Sequence, residues 1–185
     1  MTPEWATDGS RVVALVIVAI AAFTDARKEV IPNWLTLPAI VAAPVFWLFA
    51  DFYRGGVCSL LGLVLCGGVP YWLFRRGAWA GGDVKLFAAI GAVVGGDYGG
   101  GIGLGIEALL FTVMAAAVYA LVRLAWEGKL LRTLVNAFFL PLNPVLPKKW
   151  RREVTPELMS KVRLGVPALV GTSVAVLLRY QAIWM

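Results

Sequence analysis

Six apolar stretches, separated only by short charged or glycine-rich connections, take up most of this chain and leave it little choice of solvent. They cover 11–24, 34–50, 57–74, 84–95, 102–126 and 164–184. A bilayer core needs roughly 20 apolar residues per helical crossing, fewer when flanking side chains reach for the interface. Backbone polar groups in hydrocarbon must be satisfied within their own segment, so these runs predict helices. The expected fold class is all-α: a polytopic membrane protein, a bundle of about six transmembrane helices forming one membrane-embedded domain over 1–185. Composition agrees, with 60% hydrophobic residues, 15% charged and a mean hydropathy of +0.79, a balance that soluble domains rarely show.

Charge sets the orientation. Glu4 and Asp8 precede the first run with only Arg11, whereas Arg27 and Lys28 follow it. That is the wrong way round for a cleaved signal peptide, although Ala19 to Ala22 offers small residues after an apolar run. The first span therefore stays, with its N-terminus outside. Alternating from there puts the connections 25–33, 75–82 and 127–163 inside, and these hold nearly all the Lys and Arg. The outer segments keep Arg11, Arg54 and Arg179 beside Asp8, Asp51 and Asp97, so both termini lie outside. Trp5 and Trp184 then fall near the outer interface, Trp34 and Trp79 near the inner one. The net charge of +6 is read as membrane orientation; the partner it implies is the lipid bilayer, with no nucleic acid. Within 127–163, Lys129, Arg132 and Asn136 recur opposite Leu130, Leu131, Leu134, Val135 and Phe138, which suits an amphipathic helix lying in the membrane surface. The Lys148-Lys149-Trp150-Arg151-Arg152 cluster can meet anionic headgroups. A solvated basic loop is the simpler reading of both.

The inventory of reactive groups is short. There is no histidine. Cys58 and Cys66 lie eight positions apart on one run, about 12 Å along a helix and beyond disulfide reach. No metal or cofactor is expected, and acid/base chemistry falls to carboxylates, Lys, Tyr or Cys. Ionisable residues at the edge of spans are costly, and each is a functional candidate. Asp25 ends the first span and Asp83 begins the fourth, so span parity brings both to the cytoplasmic side at similar depth. Two carboxylates there can act as an aspartyl pair, one ionised to deprotonate water and one protonated to polarise a scissile carbonyl. Each can equally be a boundary residue. Gly81-Gly82-Asp83 opens a helix, where capping would keep Asp83 ionised, the state that suits a base. On parity and spacing both readings stand.

Asp25 followed by Ile31-Pro32-Asn33-Trp34-Leu35-Thr36, and later Gly81-Gly82-Asp83-Val84-Lys85-Leu86, resemble the two signature segments of the type IV prepilin (leader) peptidases, which are GxGD membrane aspartyl proteases. The resemblance covers most of the chain. It implies an endopeptidase of the bacterial inner membrane that removes the leader from prepilins or pseudopilins at the cytoplasmic boundary, with Asp25 and Asp83 catalytic. One position departs from the pattern: Ala80 stands where its first glycine would be, which puts a strictly positive φ there in doubt. The Cys-x-x-Cys pairs of the larger bifunctional members are absent, and the chain resembles the short tight-adherence (Flp pilus) type, with no methyltransferase activity to assign.

Other residues fit a supporting shell. Pro32 and Asn33 set the entry of the second span, with Asn33 as a helix cap or a donor to a carboxylate, the cap being the simpler reading. Gly81 and Gly82 allow backbone to pass close by. Lys85 either lowers the pKa of a neighbouring Asp or snorkels to headgroups. Pro38 reads as a kink. Gly165 and Pro167 match a Gly/Pro-containing segment of the family and either expose backbone to substrate or serve helix packing. Glu107, inside the fifth span, either faces a cavity, pairs with Arg11 or Arg54, or snorkels. Three other functions stay in view. One is a presenilin-like intramembrane protease, suggested by Pro167-Ala168-Leu169. Another is a proton- or cation-coupled carrier using Asp25, Asp83 and Glu107, and the third is a purely structural assembly protein.

Overall fold

The computed structural model describes residues 3–77, 79–97, 100–126, 128 and 164–184, with side chains through Gln181. Among them are six helices and no strand: α1 (Glu4–Lys28), α2 (Asn33–Ala50), α3 (Phe52–Arg75), α4 (Gly81–Gly95), α5 (Gly101–Trp126) and α6 (Gly165–Trp184). Four of them, α1, α2, α3 and α5, are long and apolar enough to cross a membrane. The chain is thus a multi-pass membrane protein. The surface 129–140 segment, the 148–152 cluster and nearly all of 127–163 lie outside the described residues.

Helix ends follow local chemistry. Pro3 precedes α1 in extended conformation, Glu4 sits in its first turn, and Arg27 and Lys28 occupy its last, each sign matched to the helix dipole. Glu29 then turns left-handed at φ 56° and its N–H closes on the Asp25 carbonyl at 3.0 Å. The helix starts at Glu4, ahead of the apolar run at 11, because helical hydrogen bonding continues through the interface once nucleated. Pro38 and Pro44 both lie inside α2.

The packing is inverted relative to a soluble protein. Large apolar side chains face outward on α2, α3 and α5, with Phe49 84% and Val64 62% exposed, as lipid contact requires. By contrast every residue of α4 from Leu86 to Gly95 is buried. This helix has 15 residues, about 22 Å of rise, and its C-terminal carbonyls end inside the bundle. They are not left bare: Trp47 Nε1 on α2 donates to the Val93 carbonyl at 2.7 Å, and Ser59 Oγ on α3 donates to that of Ala92 at 2.6 Å. Close approach of α3 to α4 depends on glycine. A Cβ on Gly62 would strike the Gly91 carbonyl oxygen and come within 2.9 Å of Gly95 Cα.

The chain divides into two compact units, Met1–Ala115 with Arg163–Met185, and Ala116–Val162. Of the second, the described part is 116–126, the end of α5, and Gly128. Within the first unit, side-chain bonds tie opposite ends of the helices together. Asn33 at the start of α2 meets Lys85 near the start of α4, and Asp25 near the end of α1 meets the start of α6. Far along the helices, Tyr180 on α6 donates to Asp8 on α1 at 3.0 Å. These contacts are those of helices that alternate in direction.

Candidate active site

Three helix ends meet around two carboxylates. Asp25 occupies the last turns of α1 and Asp83 the first turn of α4; both are buried, at 8% and 7% exposure. Each has a backbone donor. The Ala80 N–H reaches Asp83 Oδ2 at 3.1 Å while Asp83 N–H donates to the Ala80 carbonyl at 3.1 Å, half of a capping box in which Ala80 itself has no acceptor side chain. Asp25 Oδ2 accepts the N–H of Gly165, the first residue of α6, at 2.9 Å.

Asp83 stands one residue ahead of the apolar run 84–95. Burial pushes its carboxyl up to about 6, against the Ala80 N–H, which lowers it; the nearby Asp25 charge raises it further. The capping expectation, an ionised Asp83, is thus opposed: a carboxyl at about 6 still ionises at neutral pH but keeps its proton well above the ordinary aspartate range. A single neutral N–H donor does not offset removal of the carboxylate from water together with a second negative charge.

The surrounding residues have sharper roles than their sequence positions suggested. Ala80 is extended, at φ −87° and ψ 154°, so a Cβ costs nothing where the motif's first glycine would stand. Gly82 lies under the α1–α2 connection, where an added Cβ would come within 3.2 Å of Ile31 Cβ. Gly81 only borders the Phe74 ring, at 3.6 Å for an added Cβ. Asn33 does not cap α2: Pro32 takes the cap position without a side-chain bond, and Asn33 Oδ1 instead accepts from Lys85 Nζ at 2.9 Å. Lys85 therefore links α4 to α2. Pro167 is buried in the first turn of α6. Glu107 pairs with Arg179, neither of the arginines considered from sequence.

The contact missed by sequence reasoning is the donor to Asp25. Its only trace was a glycine two residues before a proline at a helix start, a pattern that says where a helix begins and nothing about what lies across from it. Among the described residues no three His, Cys, Asp or Glu side chains gather as a metal site would need.

Residues 12–123 match the type IV leader peptidase family. Over 91 residues the chain is 31% identical to the prepilin peptidase EppA of Methanothermobacter thermautotrophicus, a match covering 42% of this chain and 21% of that protein. Over 102 residues it is 30% identical to the prepilin leader peptidase/N-methyltransferase of Aeromonas salmonicida, covering 51% of this chain and 34% of that one. The Aeromonas hydrophila protein of the same name matches with the same identity and coverage. The chain thus spans between a fifth and about a third of the length of these curated relatives. No solved structure matches it significantly. Because the family match runs through more than half of the sequence, from α1 into α5, the chain belongs to the type IV leader peptidase family.

Proposed function

We propose that this protein is a membrane aspartyl endopeptidase that removes the leader from type IV or Flp-type prepilins or pseudopilins. The observation that carries the reading is a pair of buried carboxylates, Asp25 near the end of α1 and Asp83 in the first turn of α4, with the Asp25 charge raising the Asp83 carboxyl. An aspartyl peptidase needs one proton shared by two such groups.

In this reading Asp83, whose burial favours the protonated form, hydrogen-bonds the scissile carbonyl. Asp25 is the base. It takes a proton from water as the oxygen attacks the carbonyl carbon, while the Asp83 proton passes to the carbonyl oxygen. The tetrahedral diol then collapses: Asp25 returns its proton to the leaving nitrogen, the C–N bond breaks, and a diol hydroxyl proton goes back to Asp83. Water is consumed and both carboxyls are restored. No cofactor enters.

The site belongs, on this proposal, at the cytoplasmic face of the bacterial inner membrane, with both chain ends outside. The excess of Lys and Arg in the connections nearest the aspartates supports that orientation. The carrier alternative is weakened because Glu107, its third relay group, is engaged by Arg179.

The test is co-expression with a Flp-type prepilin, following leader removal by gel shift and N-terminal sequencing. Wild type should cleave after the leader glycine, and Asp25→Asn and Asp83→Asn should be inactive though inserted normally. Cleavage by either variant would sink the dyad mechanism.

A further inference from the structure

Asp83 and Asp25 receive their backbone donors in different ways. The Ala80 N–H belongs to the same turn as Asp83 and comes with the folding of α4 alone. The Gly165 N–H arrives from the far end of the sequence and depends on how α6 docks. First-turn N–H groups have no partner within their helix, so this one is free to bind and orient the Asp25 carboxyl. The approach leaves no room for a side chain. A Cβ on Gly165 would lie 2.7 Å from Asp25 Cβ, 2.8 Å from Asp25 Oδ2 and 3.1 Å from Ala22 Cα. Only the carboxylate oxygen can yield; the other two atoms are fixed to α1.

We infer that Gly165 is a positioning residue of the peptidase: its N–H holds the Asp25 carboxylate turned to take a proton from water, and its missing side chain lets α6 come close enough to do so. The inference rests on the dyad proposed above. Among the described residues, few other charges compete for this role. Asp83 and Lys85 are the titratable groups on the adjoining turns of α4, and Lys85 is engaged with Asn33. The first turns of α2 and α6 carry none. On α1, Arg27, Lys28 and Glu29 follow Asp25, with Arg27 stacked 4.2 Å over the Phe23 ring.

Replacing Gly165 by glycolic acid, an amide-to-ester change in the full-length protein, removes this N–H and adds no atom that can clash. Cleavage of a synthetic prepilin, a basic leader ending in glycine ahead of an apolar helix, is then followed in lipid vesicles across about pH 4.5 to 8.5. The ester protein should lose about tenfold in kcat, with KM and thermal unfolding in detergent within about twofold and about 2 °C of wild type. Gly165→Ala, which keeps the N–H but pushes α6 off Asp25, should lose about a hundredfold in kcat at every pH with KM nearly unchanged. A kcat in the ester protein equal to that of wild type overturns the assignment of Gly165, provided Asp25→Asn is inactive. Cleavage by Asp25→Asn instead overturns the dyad itself, so the two failures are distinct.

Discussion

Arg179 on α6 grips Glu107 on α5 with both arms of its guanidinium, Nε to Oε2 at 3.0 Å and Nη2 to Oε1 at 2.8 Å. Gly100 and Gly103 make the space, since a Cβ on either would lie 2.5 Å from a terminal nitrogen of Arg179. Arg11 is occupied elsewhere, 3.2 Å from Asp8 and 3.8 Å from Asp97. Both members of the Arg179–Glu107 pair lie on apolar helices, where a charge without its counter-ion is expensive.

Removing one partner should therefore cost more than removing both. Arg179→Met and Glu107→Gln should each lower thermal stability in detergent, and the double variant should recover part of the loss, with a coupling of about 0.5–3 kcal/mol in a double-mutant cycle. Strictly additive losses would show that the pair does not act as a unit.

Trp47 is fully buried and satisfies the Val93 carbonyl at the end of α4. Trp47→Phe keeps an aromatic ring but leaves that carbonyl unpaired in an apolar surrounding. Unfolding stability should fall by about 1–3 kcal/mol, while the cleavage rate per folded molecule changes little, because α4 begins, rather than ends, at the dyad. An unchanged melting temperature would mean that a water or another donor replaces the indole.

The α3–α4 seam sets a sharp steric test. Gly91→Ala drives a methyl into the Gly62 carbonyl oxygen and to within 2.6 Å of Cys66 Cβ. Overpacking of this kind typically costs about 1–3 kcal/mol, and more where backbone is the obstacle. Gly68 on the same α3 has nothing within 4 Å of an added Cβ. Gly68→Ala should be neutral or stabilise by about 0.5–1 kcal/mol. Equal effects at the two positions, read from thermal unfolding in detergent, would contradict the packing described here.

Asp83 gives the pH dependence its direction. Its carboxyl is raised to about 6 from 3.8, so between those values the folded protein binds more protons than the unfolded chain. Stability therefore falls as pH rises through this window and is flat above it. The loss amounts to on the order of 2–3 kcal/mol. Asp83→Asn removes this contribution, so the variant should be inactive yet gain stability relative to wild type as pH goes from about 4 to about 7. A constant difference across that range would place the Asp83 proton elsewhere.

The amino-acid sequence by itself determined the solvent of the chain. Hydropathy is a sum over many residues, and a bilayer reads it without reference to partners, so the helical, multi-pass architecture was legible. Motif and parity also singled out Asp25 and Asp83; in the structure both are buried, and the Asp25 charge raises the Asp83 carboxyl. What each polar group touches was decided only by tertiary packing. Asn33 binds Lys85 instead of capping its helix, Glu107 takes Arg179 rather than Arg11 or Arg54, and Gly165 supplies the donor to Asp25. Capping rules describe an isolated helix end, and on that basis the Asp83 carboxyl should be held at or below its ordinary value. In the folded protein its burial and the neighbouring Asp25 outweigh the local N–H, because desolvation depends on every element packed around a group and none of that packing is local in sequence.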